Sequence, residues 1–168
     1  MVVTTPLIGE RYRGVDGHSG YLLRQACNEF RGAMELALRA QGLTAAQYVA
    51  MSVLARDPGV SGADLARACN TTQQATHGVL ATLEREGLVE RHAHPTHGRI
   101  LQVDLTAEGQ RRLELANPAV RQLEGAIEEG FTPDQIAAIK SWLVAAGQRL
   151  QRISAEQRSQ EPSSHRPT

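Results

Sequence analysis

The chain has 168 residues, long enough to bury a core as one domain or as two small intertwined ones, and its 18 Lys and Arg balance 18 Asp and Glu. That balance excludes a polycation gripping its partner by bulk charge. The two cysteines, Cys27 and Cys69, make no CxxC spacing or disulfide framework, and no apolar run reaches bilayer length, so a soluble cytoplasmic chain with no membrane partner is expected.

The first eighteen residues, with Pro6, Gly9 and Gly14, show no period and read as a flexible arm. From Ser19 a helical stripe runs through Leu22, Ala26, Phe30, Ala33 and Ala37 and stops at Gly42, a helix C-terminal residue. Thr44-Ala-Ala-Gln47 is a capping box, opening a helix that Asp57-Pro58-Gly59 breaks. A short helix starts at Ser61-Gly-Ala-Asp64, a turn follows at Cys69-Asn70, and Thr71 or Thr72 caps a further helix to Arg85. After Gly87 the period changes to two: residues 88–93 and 100–105 alternate around a turn-rich loop, which predicts a two-stranded hairpin. Thr106 caps a long helix with Asn117-Pro118 in its middle, a predicted kink or break. Thr132-Pro-Asp-Gln135 opens the last helix, through Ile136, Ile139, Leu143, Ala146 and Leu150, and the polar tail from Ser154 is expected to be disordered.

Short helix, tight turn, helix and hairpin is the order of a winged helix-turn-helix, in which the second helix can enter the DNA major groove. The fold class expected is mainly α with a small β-hairpin wing. The start of that second helix carries Thr71, Thr72, Gln73, Gln74, Thr76 and His77, with Ser61 opening the helix before it. Glutamine can pair bidentately with adenine, and threonine can serve phosphates or a thymine methyl. A solvated helix start rich in capping residues is the other reading of the same residues. Three histidines, His92, His94 and His97, precede Arg99 in the hairpin. His92 and His94 would leave one face of a strand, as zinc ligands can, but no cysteine or carboxylate nearby supplies a fourth ligand in the chain. No metal and no cofactor is therefore assigned. No phosphate loop, G-x-S-x-G elbow or acid/base carboxylate pair stands out, which argues against an enzyme.

The stretches GLTAAQYVAMSVLARDPGVSGADLA, TLEREGLVER and HPTHGRILQVDLTAEGQRRLE resemble the MarR family of bacterial transcription regulators, in order and across residues 19–153. The resemblance implies a homodimer whose terminal helices, 19–43 and 107–153, interlock, while residues 44–106 present one winged domain to each half-site of a pseudopalindrome. It also implies a small aromatic or lipophilic effector that loosens the grip. The family's wing-tip arginine falls on Arg99, where a guanidinium would enter the narrow minor groove. Three departures stand out: His97 replaces the aspartate that usually holds that arginine, Gly98 an arginine, and His77-Gly78 a threonine and arginine of the recognition helix.

The winged region 61–106 holds four arginines against five carboxylates, a formal charge of minus one, which opposes strong non-specific DNA binding. Histidines beside phosphate would add charge at low pH, so DNA affinity is expected to weaken between about pH 6 and 8. A peroxide-sensing cysteine found in some relatives aligns with Gly20, leaving Cys27 as an expected buried, inert residue and Cys69 as packing. Phe30, Met34, Met51 and Trp142 are expected in the core or dimer interface, and His18, Arg24 and Asn28 as polar contacts to an effector. Alternatives are a winged helix used for protein contact, and a metal- or redox-sensing regulator.

Overall fold

A computed structural model describes residues 6–93 and 101–160 of the chain; His94, His97 and Arg99 lie outside the described residues. Helix α1 spans Ser19–Leu38 and buries Met34 and Leu38 one turn apart, with Phe30 packed beside them. A 3-10 turn, Arg39–Gln41, carries the chain to Gly42 in the left-handed region at φ 64°. The segment before α1, expected as a flexible arm, instead folds back on the helix. Arg13 donates from Nε to Gln25 Oε1 (2.8 Å) and from Nη1 to the Pro6 carbonyl (2.9 Å), and Tyr12 meets Tyr21 edge-on. Turns closed by local backbone bonds and tied to the helix by Arg13 and Tyr12 leave no period in a sequence.

Helix α2 (Ala45–Arg56) starts at the predicted capping box, in which the Thr44 hydroxyl accepts from the Gln47 amide and the Gln47 side chain accepts from the Thr44 amide. Strand β1 (Val60–Ser61) follows, then α3 (Gly62–Ala68), α4 (Gln73–Arg85), β2 (Val89–Ala93), β3 (Leu101–Leu105), α5 (Ala107–Glu128) and α6 (Pro133–Gln160). The expected hairpin gains a third strand. β3 is central, pairing antiparallel with β2 (Arg91 opposite Val103) and with β1 (Val60 opposite Val103). Two residues are too few to show alternation, so β1 is defined only by its partner.

Asn117-Pro118 does not break α5, which runs through it for 22 residues. Proline removes one backbone donor, but here the residue is exposed and the helix is anchored by buried Leu113, Ala116 and Val120. Tyr48 also donates its hydroxyl to Asn117 Oδ1 at 2.9 Å. The predicted cap of α6 forms as read, with Gln135 and Thr132 exchanging side-chain and backbone bonds. The helix then continues to Gln160, past the point where a disordered tail was expected.

The chain divides into two compact units between Glu124 and Gly125. The core of the first joins Met34, Leu38, Met51, Leu54, Leu65, Leu80, Leu83, Leu88 and Val103. Met34, Met51 and Phe30 therefore fall in or against the core, as expected. In the second, Trp142, Leu143, Val144 and Leu150 all stand exposed on α6. No helix among the described residues is long and apolar enough to cross a membrane.

Candidate nucleic-acid interface

The site is built on α4, whose two faces have opposite chemistry. Thr76, Leu80 and Leu83 recur at helical spacing and turn into the core, while Thr71, Thr72, Gln73, Gln74 and His77 remain exposed. Thr76 is thus a correction. Grouped above with the reading residues, it is 3% exposed, lies on the apolar stripe, and cannot reach a base edge. Its Oγ1 is buried without a hydrogen-bond partner among the described residues.

Thr72 is the N-cap of α4, its hydroxyl accepting from the Ala75 amide at 3.1 Å. That bond leaves Gln73, Gln74 and His77 as the side chains that α4's first turns project. Ser61 has a similar local duty. It caps α3 by accepting from the Asp64 amide (3.2 Å) and donates its hydroxyl to Asp64 Oδ2 (2.6 Å). The Ser61 hydroxyl, joined by the Arg67 guanidinium, holds the Asp64 carboxyl below the usual carboxylate range.

Gln73, His77 and Leu80 of α4, Gly62 of α3 and Arg91 and Val103 of the sheet line a cleft of about 220 Å³ between recognition helix and hairpin. Arg91 lies within charge-pair distance of Glu84 on α4, Nε to Oε2 at 3.2 Å, although Nε makes no aligned hydrogen bond. On the other face of the sheet, His92 Nε2 lies 3.4 Å from Asp104 Oδ2, and Asp104 Oδ1 accepts from the Gly59 amide at 2.6 Å. The sequence reading missed both ties. The signal for them was the hairpin register, which sends Arg91 and Val103 to the helix side and His92 and Asp104 to the other.

The hairpin base is fastened to α5. Thr106 donates its hydroxyl to the Gly87 carbonyl (2.7 Å), accepts from the Gly109 amide (3.0 Å), and gives its own amide to the Leu88 carbonyl (3.1 Å). Gly87 adopts φ 66°, which glycine takes without strain. Gly109 is buried where a Cβ would fall on the Leu88 carbonyl oxygen, so α5 and the recognition-helix exit touch backbone to backbone.

Of the expected effector contacts, His18 sits exposed at the N-cap position of α1. Arg24 lies over the Tyr21 ring, and Asn28 accepts from Arg31 at 3.3 Å. All three side chains are exposed, and Arg24 and Asn28 share one helix face. Cys27, expected buried, is exposed on the chain although it shares the helix face of Met34 and Leu38, because it lies about two turns N-terminal to Met34, before the part of α1 that packs in the core. Cys69 is half-buried, and burial pushes its thiol pKa up. No group of three or more histidine, cysteine or carboxylate side chains among the described residues could hold a metal ion.

A three-stranded sheet carrying a hairpin beside an exposed, polar second helix defines a winged helix-turn-helix protein. The MarR family profile matches residues 41–100, from the end of α1 to the hairpin. The chain is similar to the HTH-type transcriptional repressor Rv2887 of Mycobacterium tuberculosis, 35% identical over 132 residues that cover 79% of this chain and 95% of the repressor. The solved structure of that repressor with salicylic acid superposes with a TM-score of 0.62 at 34% identity, covering 79% of this chain and 98% of that one. Bordetella bronchiseptica BpsR, whose DNA binding is regulated by 6-hydroxynicotinic acid, superposes at 0.73 with 26% identity, covering 79% and 95% of the two chains. The chain belongs to the MarR family of transcription regulators.

Proposed function

We propose that the chain is a ligand-responsive repressor that binds a pseudopalindromic operator as a homodimer, acting by binding and not by catalysis, in the cytoplasm where its DNA lies. The observation that carries this reading is the exposed polar face of α4, Thr71 to Gln74 with His77, presented beside a hairpin. Gln73 and Gln74 offer amides suited to adenine edges in the major groove, and Thr71 and Thr72 offer hydroxyls to the backbone, whereas the Ser61 hydroxyl proton is already given to Asp64. Arg99, with His97 in the same hairpin loop, is assigned to the minor groove.

Helices 19–43 and 107–153 form the dimer in this reading. Its support is the apolar surface that the single chain leaves open on α6, including Trp142, Leu143 and Leu150. A two-fold dimer sets half-sites about 10 bp apart, centre to centre. The effector is a small aromatic acid of the kind that the Rv2887 and BpsR structures concern, with His18, Arg24 and Asn28 as its candidate polar contacts.

A shift assay on the intergenic DNA beside the protein's own gene tests the proposal. Specific binding is expected, reduced by Arg99→Ala, and by Gln73→Ala or Gln74→Ala with a loss of about 1–3 kcal/mol each at the bases they read. Failure to bind that DNA at low salt would overturn it. Adding salicylate should release the complex.

A further inference from the structure

The geometry points to Arg91 as a positioning residue for DNA binding: its charge pair with Glu84 sets the angle between the hairpin and the recognition helix. This rests on the DNA-binding reading above and adds a residue that touches no DNA.

The hairpin is packed unevenly along its length. At its base, Val89 and Val103 are buried and Leu105 packs against the core. At the next inward-facing pair past Val103, two positions on, the packing ends, for Ala93 and its partner Leu101 are both exposed. Arg91 occupies the last inward position of β2 before that point, directly opposite Val103. Its side chain is only 21% exposed and meets Glu84, three turns along α4 from the N-cap. Glu84 follows buried Leu83, so its backbone is fixed by the core through α4 while its side chain stays 47% exposed. Beyond Arg91 no apolar burial secures the angle of β2 and β3 against α4. A charge pair with one half-buried member, Arg91, is screened less than one wholly in open solvent, so it can hold a position while adding little stability. On the outer face, His92, Asp104 and the Gly59 amide form the opposing tie, and Glu90 is the other charged group on that side of β2.

The angle matters because the two readers act at a distance from one another. α4 addresses the major groove and the hairpin loop the adjacent minor groove, and both must be met at once. Loosening the pair lets the hairpin swing, and one of the two contacts is lost in each encounter.

Glu84→Gln separates positioning from simple charge. Removing a carboxylate near DNA adds one net positive charge per subunit, and counterion release alone would make binding tighter. Positioning predicts the reverse: about tenfold weaker operator binding, the loss of one well-aimed groove contact. Arg91→Met, which keeps the stem and removes the charge, should lose a similar factor. The swap Arg91→Glu with Glu84→Arg should recover most of the affinity. Hydroxyl-radical footprints should show the loss in minor-groove protection, while thermal melting stays close to that of the unaltered protein. Glu84→Gln binding as tightly as the unaltered protein or tighter would overturn the assignment. So would a swap that stays as weak as Arg91→Met. Should the unaltered protein fail to bind the operator at all, it is the DNA-binding reading itself that falls.

Discussion

Asp64 shows how a surface residue near the interface is committed before DNA arrives. It accepts from Ser61 and pairs with Arg67, so its folded pKa lies below the value of about 3.9 expected for an unfolded chain. A depressed carboxylate stabilises the fold above its unfolded pKa, and that contribution disappears as the pH falls through the lower folded value. Carboxyl NMR should find Asp64 titrating below the usual carboxylate range, and Ser61→Ala should move it upward. An Asp64 titration unchanged by Ser61→Ala would refute the assigned cause. The same pairing removes Arg67 from the free positive charge of the region, as Glu84 does for Arg91. Thr76 was misplaced by residue type: a hydroxyl among capping residues suggested a reading role, but the i, i+4, i+7 spacing with Leu80 and Leu83 already put it inward.

At the scale of elements, the main event is the crossing of α5 over the exit from α4. Gly109 admits the Leu88 carbonyl, and Thr106 ties the Gly87 carbonyl to the α5 cap. A displacement of α5 is therefore passed to the base of the hairpin through backbone contacts, with no flexible side chain between them. Gly109→Ala should lower stability by about 1–3 kcal/mol through overpacking, read as a shift of the urea midpoint at constant slope. A midpoint within error of the parent would mean that the two backbones separate freely. The capping boxes at Thr44 and Thr132 and the N-cap of α4 were legible because their bonds span only three residues. Strand β1 was not, because its two residues are extended only through pairing with β3, about forty positions away in sequence. The continuity of α5 through Pro118 was hidden for a similar reason: burial on both sides outweighs one lost hydrogen bond.

For the whole molecule, the electrostatics set an unusual regime for a DNA-binding protein. Total charge is zero, and the winged region has four arginines, of which Arg67 and Arg91 are paired with carboxylates. Few phosphates can then be neutralised. The slope of log K against log salt should be roughly −4 or shallower for a dimer, counting two arginines per subunit at about −0.9 for each phosphate. Filter binding between about 50 and 200 mM salt measures it, and a slope near −10 would show that many more cations reach the backbone. Specificity must then come mainly from the glutamine amides and from the groove shapes that α4 and the hairpin can meet together.

The sequence by itself determined the helix starts, the hairpin, the polar character of the α4 surface and the family, because these rest on short-range spacing and on motifs read in order. Tertiary structure decided which of those polar residues face outward, where Arg91 and Asp104 find their partners, how the segment before α1 folds back, and why Gly109 is glycine. Each of those depends on contacts between residues far apart in the chain, and such contacts exist only once the core has closed and brought α4, the sheet and α5 within reach of one another.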